Sequence, residues 1–221
     1  MSTEEALDQV ATEVRACTRC DLCKGTKNGV PGEGDPHTRV MLIGEAPGMN
    51  EDRLGRPFVG QAGNFLEELL AAAGLERSQV FITNIVKHRP PDNRDPLPEE
   101  IAACSDYLAR QIAAIDPQVI VTLGRHSMGR FLQGAAISKI HGQMKLINRR
   151  LVLTMYHPAA ALHQQTLRQT LLDDFRTALP AALEQARQLA AQGQLGNPPA
   201  GATGKPDGKE EETPPEQLSL F

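Results

Sequence analysis

The segment Val40-Met41-Leu42-Ile43-Gly44-Glu45-Ala46-Pro47-Gly48 decides the fold. Its first four side chains are uninterruptedly apolar, and glycine closes the run. A run of that kind reads as a strand buried on both faces. Val80 to Val86 (VFITNIV), Val119 to Gly124 and Leu151 to Tyr156 (LVLTMY) repeat the pattern. Helical stretches separate them. From Asn64 to Ala73, Phe65, Leu66, Leu69 and Leu70 share one helical face, and Gly74 ends the helix. Pro98 to Ile115 opens with proline in a first-turn position and stops at Asp116-Pro117. A short helix follows the third strand as far as Leu132. A long one runs from Thr166 to about Ala191, with Pro180 as a candidate interruption. Strands alternating with helices predict an α/β fold over residues 14–191, a single three-layer α/β/α domain around a central, mainly parallel four-stranded sheet. Sites in such sheets gather beyond the carboxyl ends of the strands, where Glu45, Asn84 and His157 fall.

The 221 residues suffice for one domain with a sizeable core. No apolar run reaches the roughly 18 residues of a membrane span. Met1 to Val14 carries four acids and no base, the reverse of a secretory leader. The expectation is a cytoplasmic monomer without a membrane partner. In that reducing compartment four cysteines are ligands sooner than disulfides. The net charge of -4 is unevenly spread. Residues 1–13 hold four acids and no base. Residues 192–221 hold five acids against Lys205 and Lys209, which leaves the body at +3. A mildly basic body with acidic ends is compatible with phosphate contacts. Ten of the thirty residues from Gln192 to Phe221 are Gly or Pro, so residues 192–216 read as a disordered linker.

Cys17, Cys20 and Cys23 are spaced by two residues each, and Cys104 lies far downstream. Four thiolates hold either zinc or a [4Fe–4S] cluster, and composition does not choose between them. Asn84 interrupts an otherwise apolar strand, and a buried amide there needs partners. Its side chain offers a ligand one donor and one acceptor.

Taken together, the CxxC pair, Gly44-Glu45-Ala46-Pro47-Gly48, Arg56-Pro57-Phe58-Val59-Gly60, Thr83-Asn84 with Lys87-His88-Arg89-Pro90-Pro91, and His157-Pro158 resemble the iron–sulfur type of uracil-DNA glycosylase, family 4. The resemblance covers about residues 14–180. It implies extrusion of uracil from DNA and hydrolysis of its N-glycosidic bond, leaving an abasic site for base excision repair. It implies Phe58 as the stacking ring and Asn84 as the base-reading amide. It places Glu51 against uracil C5, with Ala46 and Gly48 in the surrounding turn. It implies His157 as the donor to uracil O2 and Glu45 as the carboxylate that orients water and faces the positive sugar.

The chain departs from the family pattern in two places, and from a related branch in a third. The third metal position, usually cysteine, is His88. Imidazole replaces thiolate on iron in Rieske centres. The implied [4Fe–4S] ligands are therefore Cys17, Cys20, His88 and Cys104, with Cys23 as rival fourth ligand. The His157 motif continues Ala159-Ala160-Ala161-Leu162, which makes Leu162 the wedge that enters the duplex. A related branch that traps DNA covalently carries an Arg-Ile-His segment after its Lys-His. Here the chain runs Arg89-Pro90-Pro91-Asp92-Asn93-Arg94, which implies release by water and leaves Arg89 and Arg94 as phosphate contacts.

The last five residues, Gln217-Leu218-Ser219-Leu220-Phe221, resemble the bacterial sliding-clamp-binding pentapeptide. Gln217, Leu218, Leu220 and Phe221 would dock as an extended peptide on a flexible leash, near the nucleoid. Two other readings stand beside the glycosylase. One is a non-catalytic, clamp-tethered iron–sulfur module that binds DNA or senses redox state. The other is a zinc-stabilised nucleotide-binding protein.

Overall fold

A computed structural model describes residues 1–162 and 164–196; the linker residues beyond these and the C-terminal pentapeptide lie outside the described residues. Strands β1 (Glu33–Gly34), β2 (Val40–Gly44), β3 (Phe81–Asn84), β4 (Val119–Leu123), β5 (Met144–Ile147) and β6 (Arg150–Met155) form one sheet in the order β1-β3-β2-β4-β6-β5. The four central strands are parallel, and the two edges run antiparallel to their neighbours. The sheet therefore has six strands, not the four expected from sequence. The extra pair are edges: β1 has two residues, and β5 leaves Lys145 and Leu146 exposed. Neither shows the continuous apolar run of a strand buried on both faces.

Alternation along the strands builds two cores. Val40, Leu42, Ile82, Val121 and Leu153 face α3 (Gln61–Ala72) and α7 (Gln165–Ala191), where Phe65, Leu69, Phe175 and Leu179 meet them. Met41, Ile43, Phe81, Ile120 and Val152 face α4 (Pro98–Ile115), through Cys104, Leu108 and Ile115. Helix α7 continues through Pro180 without a break, because Leu179, Ala182 and Ala186 anchor both halves in the core.

The acidic N-terminal segment forms α1 (Thr3–Arg15), capped by Ser2. Val10 and Val14 pack beside Cys17 and Tyr107. Glu13 takes both guanidinium donors of Arg110 on α4, at 2.5 and 2.8 Å. Among the described residues no helix is long and apolar enough to cross a membrane.

Two short helices matter for the site. Helix α2 (Met49–Leu54) follows β2, and α5 (Arg125–Gly129) follows β4. Connections leave β2 and β4 toward opposite sides of the sheet, so a crevice opens between their carboxyl ends.

Candidate active site

A cavity of about 390 Å³ lies at that crevice. Glu45, Ala46, Gly48, Glu51, Phe58, Asn84, Arg94 and His157 of the sequence-predicted set line it, together with Ala159 and Ala160. Arg89 and Leu162 do not line it.

The parallel ladder sets Gly44 of β2 directly beside Asn84 of β3. A Cβ on Gly44 would stand 2.4 Å from Asn84 Oδ1 and 2.7 Å from the Phe58 ring. The missing side chain thus lets an amide and an aromatic face approach one another. Asn84 is 1% exposed, and its Oδ1 has no hydrogen-bond partner among the described residues. An unpaired buried acceptor is costly unless a ligand supplies the donor.

Phe58 adopts φ 49°, a left-handed conformation unusual outside glycine. Several contacts hold it there. Arg77 donates to the Phe58 carbonyl at 3.1 Å and the Pro57 carbonyl at 2.6 Å, and Glu33 holds Arg77 at 2.8 Å. Gly63 of α3 lies so near that its Cβ would meet the Phe58 oxygen at 2.0 Å. Glu51 accepts from the amides of Val59 and Gly60, both at 2.8 Å, and from Gly48 at 3.1 Å. Its carboxylate is therefore a brace between the start of α2 and the Phe58 loop, and its position is stiff.

The Phe58 and His157 rings stack at 5.7 Å between centroids. His157 Nδ1 accepts the Ala159 amide at 3.1 Å, which leaves the ring proton on Nε2. Desolvation pushes its pKa down to about 4, so the imidazole is neutral at pH 7 and still donates.

Glu45 meets a group that the sequence reading missed. His126 Nε2 lies 3.9 Å from its carboxylate and 3.3 Å from Asp95. Arg125 pairs with Asp95 and donates to His126 Nε2 at 3.0 Å. Desolvation raises the Glu45 pKa, Asp95 adds to it, and His126 and Arg125 oppose it. Glu45, Asp95 and His126 are close enough to hold a cation, but the Arg125 guanidinium already supplies the positive charge there. Only packing joins these residues, so no local motif announced them.

Arg94 is engaged internally, donating twice to Glu100 at 2.9 and 2.6 Å. Arg89 donates to Asn93 at 2.7 Å on the exposed loop. Leu162 is half-buried against the α3–α7 core, and Ala159 and Ala160 form the exposed tip instead.

On the other side of β3, Cys17 and Cys23 lie near enough to raise the pKa of Cys20, and Cys17 and Cys20 near enough to raise that of Cys104. Burial is the larger cause, and it pushes Cys104 up to about 11. Amides of Leu22 and Lys87 donate to the sulfurs of Cys20 and Cys104, as thiolate ligands require. A zinc tetrahedron would bring sulfurs within ~3.8 Å of each other. Among the described residues no three cysteine sulfurs all lie within 4.8 Å of one another. His88 is 5% exposed, and its Nε2 sits 3.1 Å from where a Gly29 Cβ would be. Cys23 is half-buried at the end of the turn that starts after Cys20.

The family model of the Uracil DNA glycosylase superfamily matches residues 31–180. The type-4 uracil-DNA glycosylase of Saccharolobus solfataricus is 50% identical over 180 residues, which is 77% of this chain and 83% of that protein. The type-4 enzyme of Thermotoga maritima is 42% identical over 79% of this chain and 94% of its own length. The type-5 uracil-DNA glycosylase of Thermus thermophilus is 36% identical over 58% of this chain and 68% of its own. With that match over the whole sheet and its crevice, the chain belongs to the uracil-DNA glycosylase superfamily.

Proposed function

We propose that this protein removes uracil from DNA by hydrolysis, as a type-4 uracil-DNA glycosylase. The observation that carries the reading is the unpartnered Asn84 Oδ1 facing the Phe58 ring across the gap left by Gly44. Uracil N3–H completes that acceptor while the amide N–H meets O4. Cytosine would set acceptor against acceptor at N3. The stacked rings of Phe58 and His157 give the extruded base an aromatic wall. Glu51, fixed by three backbone amides, is a stiff edge against the thymine methyl. A yielding wall would discriminate one methyl by only about 1–3 kcal/mol.

The C1′–N1 bond breaks with its electron pair moving into the uracil ring. Negative charge develops on O2, where His157 Nε2–H donates. Positive charge develops on the sugar, which the Glu45 carboxylate faces. Water adds at C1′ and its proton passes to Glu45 or to solvent. A neutral histidine suits this task, since its proton is held without a protonation step near pH 7.

Cys17, Cys20 and Cys104 with His88 would hold a [4Fe–4S] cluster. Such a cluster braces the N-terminal segment against the loop after β3 and takes no part in bond breaking. Gln217, Leu218, Leu220 and Phe221 would tether the enzyme to the bacterial sliding clamp; their sequence is the support for this.

Three measurements test these readings. Anaerobically purified protein should convert uracil-containing oligonucleotides, and not thymine-containing ones, to abasic product. Absence of product refutes the function. Its pH profile should show an acid limb above the ordinary carboxylate range, because the pKa of Glu45 is raised and activity is lost as pH falls through it. Glu45→Gln should remove that limb; a limb unchanged in this variant assigns it elsewhere. Secondly, the protein should be brown, with absorbance near about 400 nm. Cys104→Ser and His88→Ala should lose the colour and Cys23→Ser keep it, whereas the reverse order for the last two makes Cys23 the ligand. Thirdly, deleting residues 217–221 should abolish clamp capture and leave excision from free oligonucleotides intact. Equal capture by the truncated chain would sink the tether.

A further inference from the structure

Lys87 follows the strand that carries Asn84, and its side chain is fully buried. Its Nζ contacts three oxygens: Thr83 Oγ1 at 2.7 Å, the Asn84 carbonyl at 2.8 Å and Gln111 Oε1 at 2.8 Å. All three must accept. The Asn84 oxygen is a carbonyl. Gln111 is oriented by its own Nε2, which donates to the Pro31 carbonyl at 2.6 Å. The Thr83 hydroxyl gives its hydrogen to the same carbonyl at 2.9 Å. Three acceptors around one nitrogen match the three hydrogens of an ammonium, which offsets the burial that lowers the Lys87 pKa to about 7.

Among the described residues no carboxylate lies within ion-pair distance of this nitrogen. Cys104 lies near enough to favour the charged form of Lys87, against the desolvation cost of burying an ammonium. The geometry suits precision at one peptide. Across the sheet, Ile85 and Val86 donate to the carbonyls of Gly44 and Glu45, both at 3.1 Å. Lys87 Nζ takes the Asn84 carbonyl. Its own main chain accepts from Val30 at 2.7 Å, so the residue is itself anchored.

We propose that Lys87 is a positioning residue for base recognition: its buried ammonium pins the Asn84 peptide and thereby aims the amide at the extruded uracil. The inference rests on the reading of Asn84 as the base-reading residue. Thr83 and Gln111 are the fixed points against which the ammonium pulls.

The test is binding by the full chain of two probes, free uracil and an abasic-site duplex. Lys87→Met should weaken uracil binding by about tenfold or more while abasic DNA binds within about twofold of wild type. Thr83→Val, which removes one acceptor without a change of shape, should weaken uracil by about threefold. It decides the matter if Lys87→Met does not fold, and unchanged uracil affinity in it then overturns the proposal. Asn84→Ala separates the two layers of the argument. If it loses uracil binding while Lys87→Met retains it, Lys87 does not position the amide. If both retain it, the reading of Asn84 falls and the proposal with it. An equal loss for uracil and abasic DNA in Lys87→Met marks a general folding role and also overturns it.

Discussion

Gly44 and Asn84 are partners across the β2–β3 ladder, and the space between them admits no side chain on the glycine. Neighbouring strands stand a fixed distance apart, so the room at that point is set by the sheet and not by loop adjustment. With no Cβ there, the Asn84 amide and the Phe58 ring approach closely enough to bound one flat slot. Everything else at the site maintains that slot. Arg77 and Glu33 hold the strained Phe58 backbone, Gly63 lets α3 press against it, and Glu51 ties the two flanking loops together. The conformational cost of a left-handed phenylalanine is offset by this surrounding set, as expected where strain serves a ligand.

The electrostatics divide by side of the slot. On one side a neutral, desolvated His157 presents a fixed Nε2 donor. On the other a partly desolvated Glu45 stands among Asp95, His126 and Arg125. Two carboxylates there share one guanidinium and one imidazole. The segment from Asn84 to His88 joins this pocket to the cysteine-bearing face. Asn84 opens into the pocket, the Lys87 amide donates to Cys104, and His88 is buried beside Gly29.

Much of this was legible in the sequence because buried parallel strands are continuous apolar runs, and a polar residue among them stands out. Asn84 was visible for that reason, Glu45 through its place just past a strand end and its resemblance to a family motif, and helix α4 was bounded by its own proline signals. The edges β1 and β5 were not, since two residues or an exposed pair carry no such contrast. Glu51 was placed at the pocket, but its engagement by three amides depends on loop geometry that no spacing encodes. Leu162 looked like a tip residue, yet the turn at Pro158–Ala161 directs it toward the core. His126 was hidden because tertiary packing alone brings it to Glu45. Lys87 stood in its motif without a role of its own, and burial revealed its three acceptors.

The central claim is that an empty Cβ position at the end of β2 creates the base-reading slot. The direct measurement is kcat/KM for uracil excision by Gly44→Ala beside its thermal unfolding. The added methyl would meet a side-chain oxygen and a ring, both of which can shift, so the sheet should survive with a cooperative transition. Displacement of the amide and ring should lower kcat/KM by about a hundredfold or more. A folded Gly44→Ala protein with near wild-type kcat/KM would contradict the account.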